Sequence, residues 1–296
     1  MYAQYGGRSR LVCTQTGFNM PTYHYQCQTC GIRFHRFRDG SDPPLEACPE
    51  CGGIAQRLIG AGATMHRTMG ILGGMSPEST VTYYEHITRE YTARYGDYGY
   101  PEILIYSVNF KQYVEWQRQG QWDEAATAMA EALERLRAAG AAFGIIATNT
   151  MHIVFDKVQA AVGMPLLSIV DATAQAIRDA GVRSVGLLGT IFTMRERFFR
   201  DGLCRCGIDV LVPDNGAQDR INDVIYQELC RGEVLPHSRA MFLSVIESLR
   251  ERGAQGIVLG CTEVPLLVRP ADCELPLFNT TILHAETALQ YAVKQE

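Results

Sequence analysis

The chain has 296 residues, 47% hydrophobic and 20% charged, with a formal net charge of -5. This composition excludes a disordered, collagenous or disulfide-dense chain, and its mild acidity argues against a surface devoted to nucleic acid or anionic membrane. No apolar run approaches the roughly 20 residues that span a bilayer, and the first 19 residues are too polar for a signal peptide, so a cytoplasmic protein is expected.

Two cysteine pairs come first along the chain. Cys27-Gln-Thr-Cys30, followed by Gly31, and Cys48-Pro-Glu-Cys51, followed by Gly52-Gly53, have the C-x2-C-x17-C-x2-C spacing of a zinc ribbon. Each C-x-x-C turn aims two thiolates at one point. Cys27, Cys30, Cys48 and Cys51 are therefore expected to close a tetrahedral structural zinc site within residues 20–60, with two disulfides as the alternative. A unit this small has too little core to fold alone, so the metal would supply much of its stability. Four arginines (Arg33, Arg36, Arg38, Arg57) against four acids (Asp39, Asp42, Glu46, Glu50) leave no basic footprint, so a nucleic-acid or protein partner of this segment stays open. Gly60-Ala-Gly-Ala-Thr64 reads as a flexible linker.

From Met69 onward, short apolar runs alternate with amphipathic stretches, which predicts an α/β fold with mostly parallel sheets. Predicted strands are Met69–Gly73, Ile103–Val108, Gly144–Thr148, Leu166–Ile169, Ser184–Gly189, Val210–Val212, Ile257–Cys261 and Leu275–Phe278. Predicted helices are Pro77–Tyr95, Trp122–Ala139, Ala172–Ala180, Met194–Cys204, Arg220–Cys230, Ser238–Arg252 and Leu283–Val293. The halves echo each other: Leu136-Arg-Ala-Ala-Gly-Ala-Ala-Phe-Gly-Ile-Ile-Ala-Thr148 aligns without gaps on Leu249-Arg-Glu-Arg-Gly-Ala-Gln-Gly-Ile-Val-Leu-Gly-Cys261. The repeat is too long for a solenoid. It predicts two similar lobes related by pseudo-twofold symmetry, spanning 68–180 and 181–280, with 281–296 returning to the first lobe.

Ligands of such folds sit beyond the carboxyl ends of the strands, so the strand tips should face a shared cleft. There the repeat puts Thr148 opposite Cys261, two side chains suited to opposite faces of one carbon. Gly73-Gly-Met-Ser-Pro77 offers backbone N–H groups, a serine N-cap and a proline at the first helical position, features of an anion site. Thr193-Met-Arg-Glu196 reads as a capping box in the second lobe. No G-x-G-x-x-G or P-loop motif is present at these tips, so a nucleotide site is not expected. Cys204, Cys206, Cys230 and Cys273 read as non-functional, and Glu263 as a helix-start charge.

Through Gly70-Ile-Leu-Gly-Gly-Met-Ser-Pro-Glu-Ser-Thr80, Thr148-Asn-Thr-Met-His152, Leu187-Leu-Gly-Thr190, Gly260-Cys-Thr-Glu263 and His284-Ala-Glu286, the chain resembles the aspartate/glutamate racemase family. The segment from Met20 resembles FmdB-type zinc ribbons, which implies a regulatory role. The racemase resemblance implies two lobes with the active site between them and catalysis without pyridoxal phosphate or metal. Its substrate would be a small acidic amino acid, and the assembly a homodimer. Most members carry a cysteine where Thr148 stands; threonine there resembles an atypical branch selective for L-aspartate and L-glutamate. By the resemblance, Cys261 is the thiol acid/base and Thr148 its partner. Met75, Ser76, Gln117, Asn149, Thr150, Arg220 and Thr262 contact substrate. Arg195 and Asn279 depart from the family pattern. A thiol with a reference pKa of about 8.5 serves as a base at neutral pH if its pKa is lowered by one or two units, whereas a hydroxyl serves as a proton donor. A decarboxylase or isomerase using Cys261 alone, and a non-catalytic amino-acid sensor, are the alternatives.

Overall fold

The structure is a computed structural model that describes residues 22–37, 47–57 and 66–294. The linker expected at 60–64 lies outside these residues, as do Arg38, Asp39, Asp42 and Glu46. The chain divides into two compact units, Met1–Thr64 and Met65–Glu296.

The first unit is a three-stranded antiparallel sheet of order β2-β1-β3, formed by β1 (Thr22–Cys27), β2 (Arg33–Phe37) and β3 (Ala55–Arg57). Among its described residues, Tyr25, Cys27, Cys48 and Ala55 are buried. Each cysteine pair is followed by a glycine in the left-handed region, Gly31 at φ 74° and Gly52 at φ 70°. Their N–H groups donate back to Cys27 O (3.0 Å) and Cys48 O (2.9 Å), which curls each pair into a knuckle.

The second unit begins with β4 (Met69–Gly73), α1 (Pro77–Tyr95), β5 (Ile103–Ser107), α2 (Phe110–Gln119), α3 (Trp122–Ala138), β6 (Phe143–Ile146), α4 (Phe155–Ala161) and β7 (Leu166–Leu167). It continues with α5 (Ile169–Asp179), β8 (Ser184–Gly189), α6 (Ile191–Arg195), α7 (Arg197–Arg205), β9 (Asp209–Leu211) and α8 (Asn215–Gln227). It ends with α9 (Pro236–Glu251), β10 (Gly256–Gly260), α10 (Val264–Leu267), β11 (Leu277–Asn279) and α11 (Thr280–Val293). The strands form two parallel four-stranded sheets, of orders β5-β4-β6-β7 and β9-β8-β10-β11. Matched strand for strand, the two orders are the same, as the repeat predicted.

The central strands β4, β6 and β10 are buried along their whole length, which is why they read as unbroken apolar runs. Met129, Leu133 and Leu136 of α3 pack with Leu72 and Ile146 on one face of the first sheet. Tyr83 and Ile87 of α1 cover the other face, against Ile71 and Ile145. In the second sheet, Ile221 and Ile225 of α8 join Phe242 and Leu249 of α9 over Leu188 and Leu259.

The two lobes exchange helices. Helix α5 follows the last strand of the first lobe, yet its Ile169, Ala174 and Ile177 pack with Val185, Leu187 and Phe199 of the second. Helix α11 follows the last strand of the second lobe, and its Ala285, Ala288 and Leu289 pack with Met69, Ile71 and Phe143 of the first. The two helices lie against each other. The crossover from the first sheet to the second comes at Ser168, the N-cap of α5. The physical reason is that a parallel sheet must be covered on both faces, and α5 joins α7 in covering the second.

Local differences from the sequence reading have similar causes. Helices α2 and α4 were not foreseen. The helix expected over 194–204 breaks at Glu196 into α6 and α7. The cap of α6 is Thr190 rather than Thr193, because the helix starts directly at the strand end and the Thr190 hydroxyl accepts the Thr193 N–H at 3.3 Å. Among the described residues, no helix is long and apolar enough to cross a membrane.

Candidate active site

Beyond the carboxyl ends of β4, β6, β8 and β10 lies a small cavity of about 40 Å³. The first lobe lines it with Met75 and Ser76 after β4, Phe110 and Gln117 from α2, and Thr148, Asn149 and Thr150 after β6. The second lobe contributes Thr190, Ile225, Tyr226, Cys230, and the run Gly260-Cys261-Thr262-Glu263 after β10. Thr148 and Cys261 therefore face one cavity from opposite lobes.

The strand ends are shaped by close backbone approach. At Gly74, φ is 88° and a Cβ would meet Val108 N at 2.5 Å, so only glycine fits. The chain then turns into α1, where Ser76 accepts the Ser79 N–H at 3.4 Å and Pro77 takes the first helical position. The Thr150 and Thr190 hydroxyls meet across the lobes at 3.0 Å. Asn149 is buried and lines the cavity with both polar atoms of its amide unpartnered, leaving them available to a ligand. Gln117, also buried, donates its Nε2 to Met151 Sδ at 3.1 Å.

Glu263 stands at the start of α10, as the sequence suggested, but not on the surface. It is 6% exposed, and its carboxylate gathers three donors. Ser76 Oγ donates to Oε1 at 2.6 Å; Thr262 Oγ1 and Cys261 Sγ donate to Oε2 at 2.5 and 3.1 Å. Burial, and then the Glu263 charge, push the Cys261 thiol well above its ordinary range. This corrects the expectation of a thiol lowered toward neutrality. Cys230 also lines the cavity, and burial followed by the charges of Glu263 and Glu78 pushes it up to about 12. Burial likewise raises Tyr226.

Two imidazoles brace the floor. His152 Nδ1 donates to Thr148 O at 2.7 Å, while its Nε2 accepts the Ile169 N–H at 3.1 Å. These partners define a neutral tautomer. Burial, then the neighbouring His284, lowers its pKa to about 3. His284 Nε2 donates to Leu167 O at 2.9 Å and its Nδ1 accepts from Tyr83 Oη at 2.8 Å; burial lowers its pKa to about 4. Together the two rings hold both ends of the β7–α5 crossover.

Arg220 lies elsewhere. Helix α8 buries Ala217, Gln218, Ile221, Val224 and Ile225, and the phase of the helix leaves Arg220 exposed and outside the cavity lining. Arg195 bonds Gln218 Oε1 (2.9 Å) and Asp219 (2.7 Å), and Asn279 caps α11; neither lines the cavity. The sequence reading missed Thr190, Phe110, Ile225, Tyr226, Cys230 and the role of Glu263. Of these, Thr190 carried a signal as the end of the Leu187-Leu-Gly-Thr190 motif, and Glu263 through its adjacency to Cys261 in Gly-Cys-Thr-Glu.

In the first unit the four predicted cysteine sulfurs all lie within 4.8 Å of one another. Cys27 Sγ is 3.5 Å from Cys51 Sγ, and Cys30 Sγ is 3.9 Å from Cys48 Sγ. Ligands about 2.3 Å from a tetrahedral zinc ion stand about 3.8 Å apart, so the cluster fits that ion. The Cys30 and Thr29 N–H groups point at Cys27 Sγ (3.4 and 3.3 Å) and hold that thiol down at about 6.

Residues 72–288 match the Asp/Glu/Hydantoin racemase family, and residues 20–59 match a zinc ribbon domain. A broad specificity amino-acid racemase of Bacillus subtilis (strain 168) is 25% identical over 224 residues, 75% of this chain and 96% of its own. The crystal structure of a candidate Asp/Glu racemase from Yersinia pestis is similar with a TM-score of 0.73 and 42% identity, covering 77% of this chain and 100% of that one. An aspartate racemase homologue from Pyrococcus horikoshii OT3 gives 0.69 and 36% over 77% and 100%. The chain thus belongs to the Asp/Glu/Hydantoin racemase family, an amino-acid racemase at family level that carries an N-terminal zinc ribbon domain.

Proposed function

We propose that the protein interconverts the enantiomers of aspartate, glutamate or both, by removing the Cα proton on one face and returning one on the other. The observation that carries this reading is that Thr148 and Cys261 line a single cavity from opposite lobes. In one direction Cys261, once its thiol proton has been given up, takes the Cα proton as the thiolate, and the electron pair stays on Cα, delocalised into the carboxylate. Thr148 donates its hydroxyl proton to the opposite face and recovers one from water. The hydroxide so formed is neutralised by the proton released from the Cys261 side of the cavity, and the charges balance.

Among the described residues, the cavity lining contains no Lys or Arg, so neutral donors would hold the carboxylates. The unpartnered Asn149 amide and the hydroxyls of Thr150 and Thr190 supply them, with the backbone at Met75, Ser76 and Thr262 and with Gln117 on α2. The scheme needs no pyridoxal phosphate or metal, in line with the family resemblance. Zinc in the ribbon would be structural, since four thiolates leave no open position for chemistry.

Purified protein incubated with L-aspartate or L-glutamate should form the D-enantiomer, resolved by chiral chromatography. In deuterated water the product should carry deuterium at Cα. Absence of D-product from both amino acids overturns the reading.

A further inference from the structure

Racemisation between Cys261 and Thr148 leaves one buried ionisable group unexplained. Glu263 sits on the cavity wall, 6% exposed, and among the described residues no Lys, Arg or His forms an ion pair with it. A buried carboxylate without a cation is costly unless hydrogen bonds compensate. Three do: Ser76 from the first lobe, and Thr262 and Cys261 from its own strand end, at 2.6, 2.5 and 3.1 Å. The third of these donors is the sulfur that the reaction uses.

The thiol itself is poorly placed to ionise into its surroundings, since burial and the nearby negative charge both oppose a thiolate. A second negative charge beside Glu263 is avoided if the thiol proton moves along the existing hydrogen bond instead of leaving the site. The transfer itself leaves the pair with the same single negative charge, and its two ionisations belong to the pair. On the opposite wall, among the described residues, no carboxylate or imidazole hydrogen-bonds the Thr148 hydroxyl. The two sides of the cavity are chemically unequal.

We infer that Glu263 is the proton acceptor of Cys261, a catalytic thiol–carboxylate pair in which Oε2 takes the thiol proton as the sulfur turns to the substrate. The S–H bond breaks, an O–H bond forms on Glu263, and the sulfur keeps the electron pair with which it takes the Cα proton. After turnover the proton on Glu263 neutralises the hydroxide formed on the Thr148 side, which restores the thiol–carboxylate pair, and in the reverse direction the same protons return along the same bonds. This role rests on the racemase reading of the cavity, but it makes a claim about the thiol alone.

The test uses the full-length protein and a small thiol reagent. Iodoacetamide labelling at Cys261, followed by mass spectrometry of its peptide, is timed across pH in wild type, Glu263→Gln and Glu263→Asp. With the carboxylate as acceptor, the wild-type rate stays level from about pH 6 to about pH 9, whereas E263Q needs free thiolate and its rate climbs about tenfold per pH unit. E263D keeps the level profile at a lower rate, which guards against misfolding of the glutamine variant. Racemase turnover in E263Q falls at least about 100-fold and partly returns in E263D. Parallel pH profiles in wild type and E263Q overturn the role of Glu263 whether or not D-product forms. A level wild-type profile without any D-product instead overturns racemisation and leaves the thiol–carboxylate pair standing.

Discussion

Ser76 and Glu263, 187 positions apart, join the two lobes by a buried hydrogen bond of 2.6 Å from the serine Oγ to the glutamate Oε1. The same Ser76 oxygen caps α1, and the other oxygen of Glu263 receives the Cys261 thiol. One serine thus serves helix stability, lobe closure and the environment of the reacting sulfur.

Replacing Ser76 with alanine removes the cap and one of the three donors to Glu263. The expected cost is about 1 kcal/mol for the cap, and more if the carboxylate is left under-bonded. Urea denaturation of Ser76→Ala against wild type measures it. Turnover should fall together with stability, and an unchanged midpoint would count against the dual role.

Thr148 and Cys261 should fail differently. Cys261→Ala should abolish D-product while calorimetry still detects L-aspartate binding, because the ligand donors remain; a sensor would keep its output as well. Thr148→Val should stop racemisation yet retain deuterium wash-in to the enantiomer whose Cα proton faces Cys261. Loss of wash-in for both enantiomers in Thr148→Val would contradict an independent Cys261 base.

Acid should weaken the second unit through its buried histidines. His152 and His284 have folded pKa values lowered from 6.5 to about 3 and about 4, both chiefly by burial. Below pH 6.5 the unfolded chain binds protons that the folded rings refuse, so stability falls as pH drops from 6.5 toward about 4 and is fully present above 6.5. Each ring contributes a slope of up to about 1.4 kcal/mol per pH unit. Denaturation at about pH 7.5 and about pH 5 measures the difference. His152→Asn, which removes one titrating ring, should shrink it.

Arg220 provides a negative control for the cavity. Arg220→Ala should leave the KM for L-aspartate within about twofold of wild type, as expected for an exposed residue outside the lining. Gln117→Ala, which opens the buried wall formed by α2, should raise KM at least about tenfold through the loss of a buried polar contact. Steady-state kinetics on the two variants compares them directly.

Metal analysis tests the ribbon. The full-length protein should bind zinc at about one ion per chain, and Cys48→Ser should lower that ratio, because a closed tetrahedral site loses much of its affinity with one thiolate missing. Equal zinc contents would exclude the four-cysteine site.

The parts of this protein legible in its sequence are those set by local pattern. The C-x-x-C spacing foretold four converging sulfurs, because each knuckle is built within a few residues. Buried parallel strands must be apolar, so their runs stood out, and the gapless repeat put Thr148 and Cys261 at matching strand ends. What tertiary structure decided depends on where separate elements meet. Glu263 is a helix-start charge by its local sequence, and in the fold it is buried, with Ser76 of the other lobe adding a third donor to those of Thr262 and Cys261. The exchange of α5 and α11 reflects which sheet face lacks cover, and α8 turns Arg220 outward through the phase of its own apolar face. Chain proximity governs the first group, whereas packing between distant segments governs the second, and a linear pattern carries only the former.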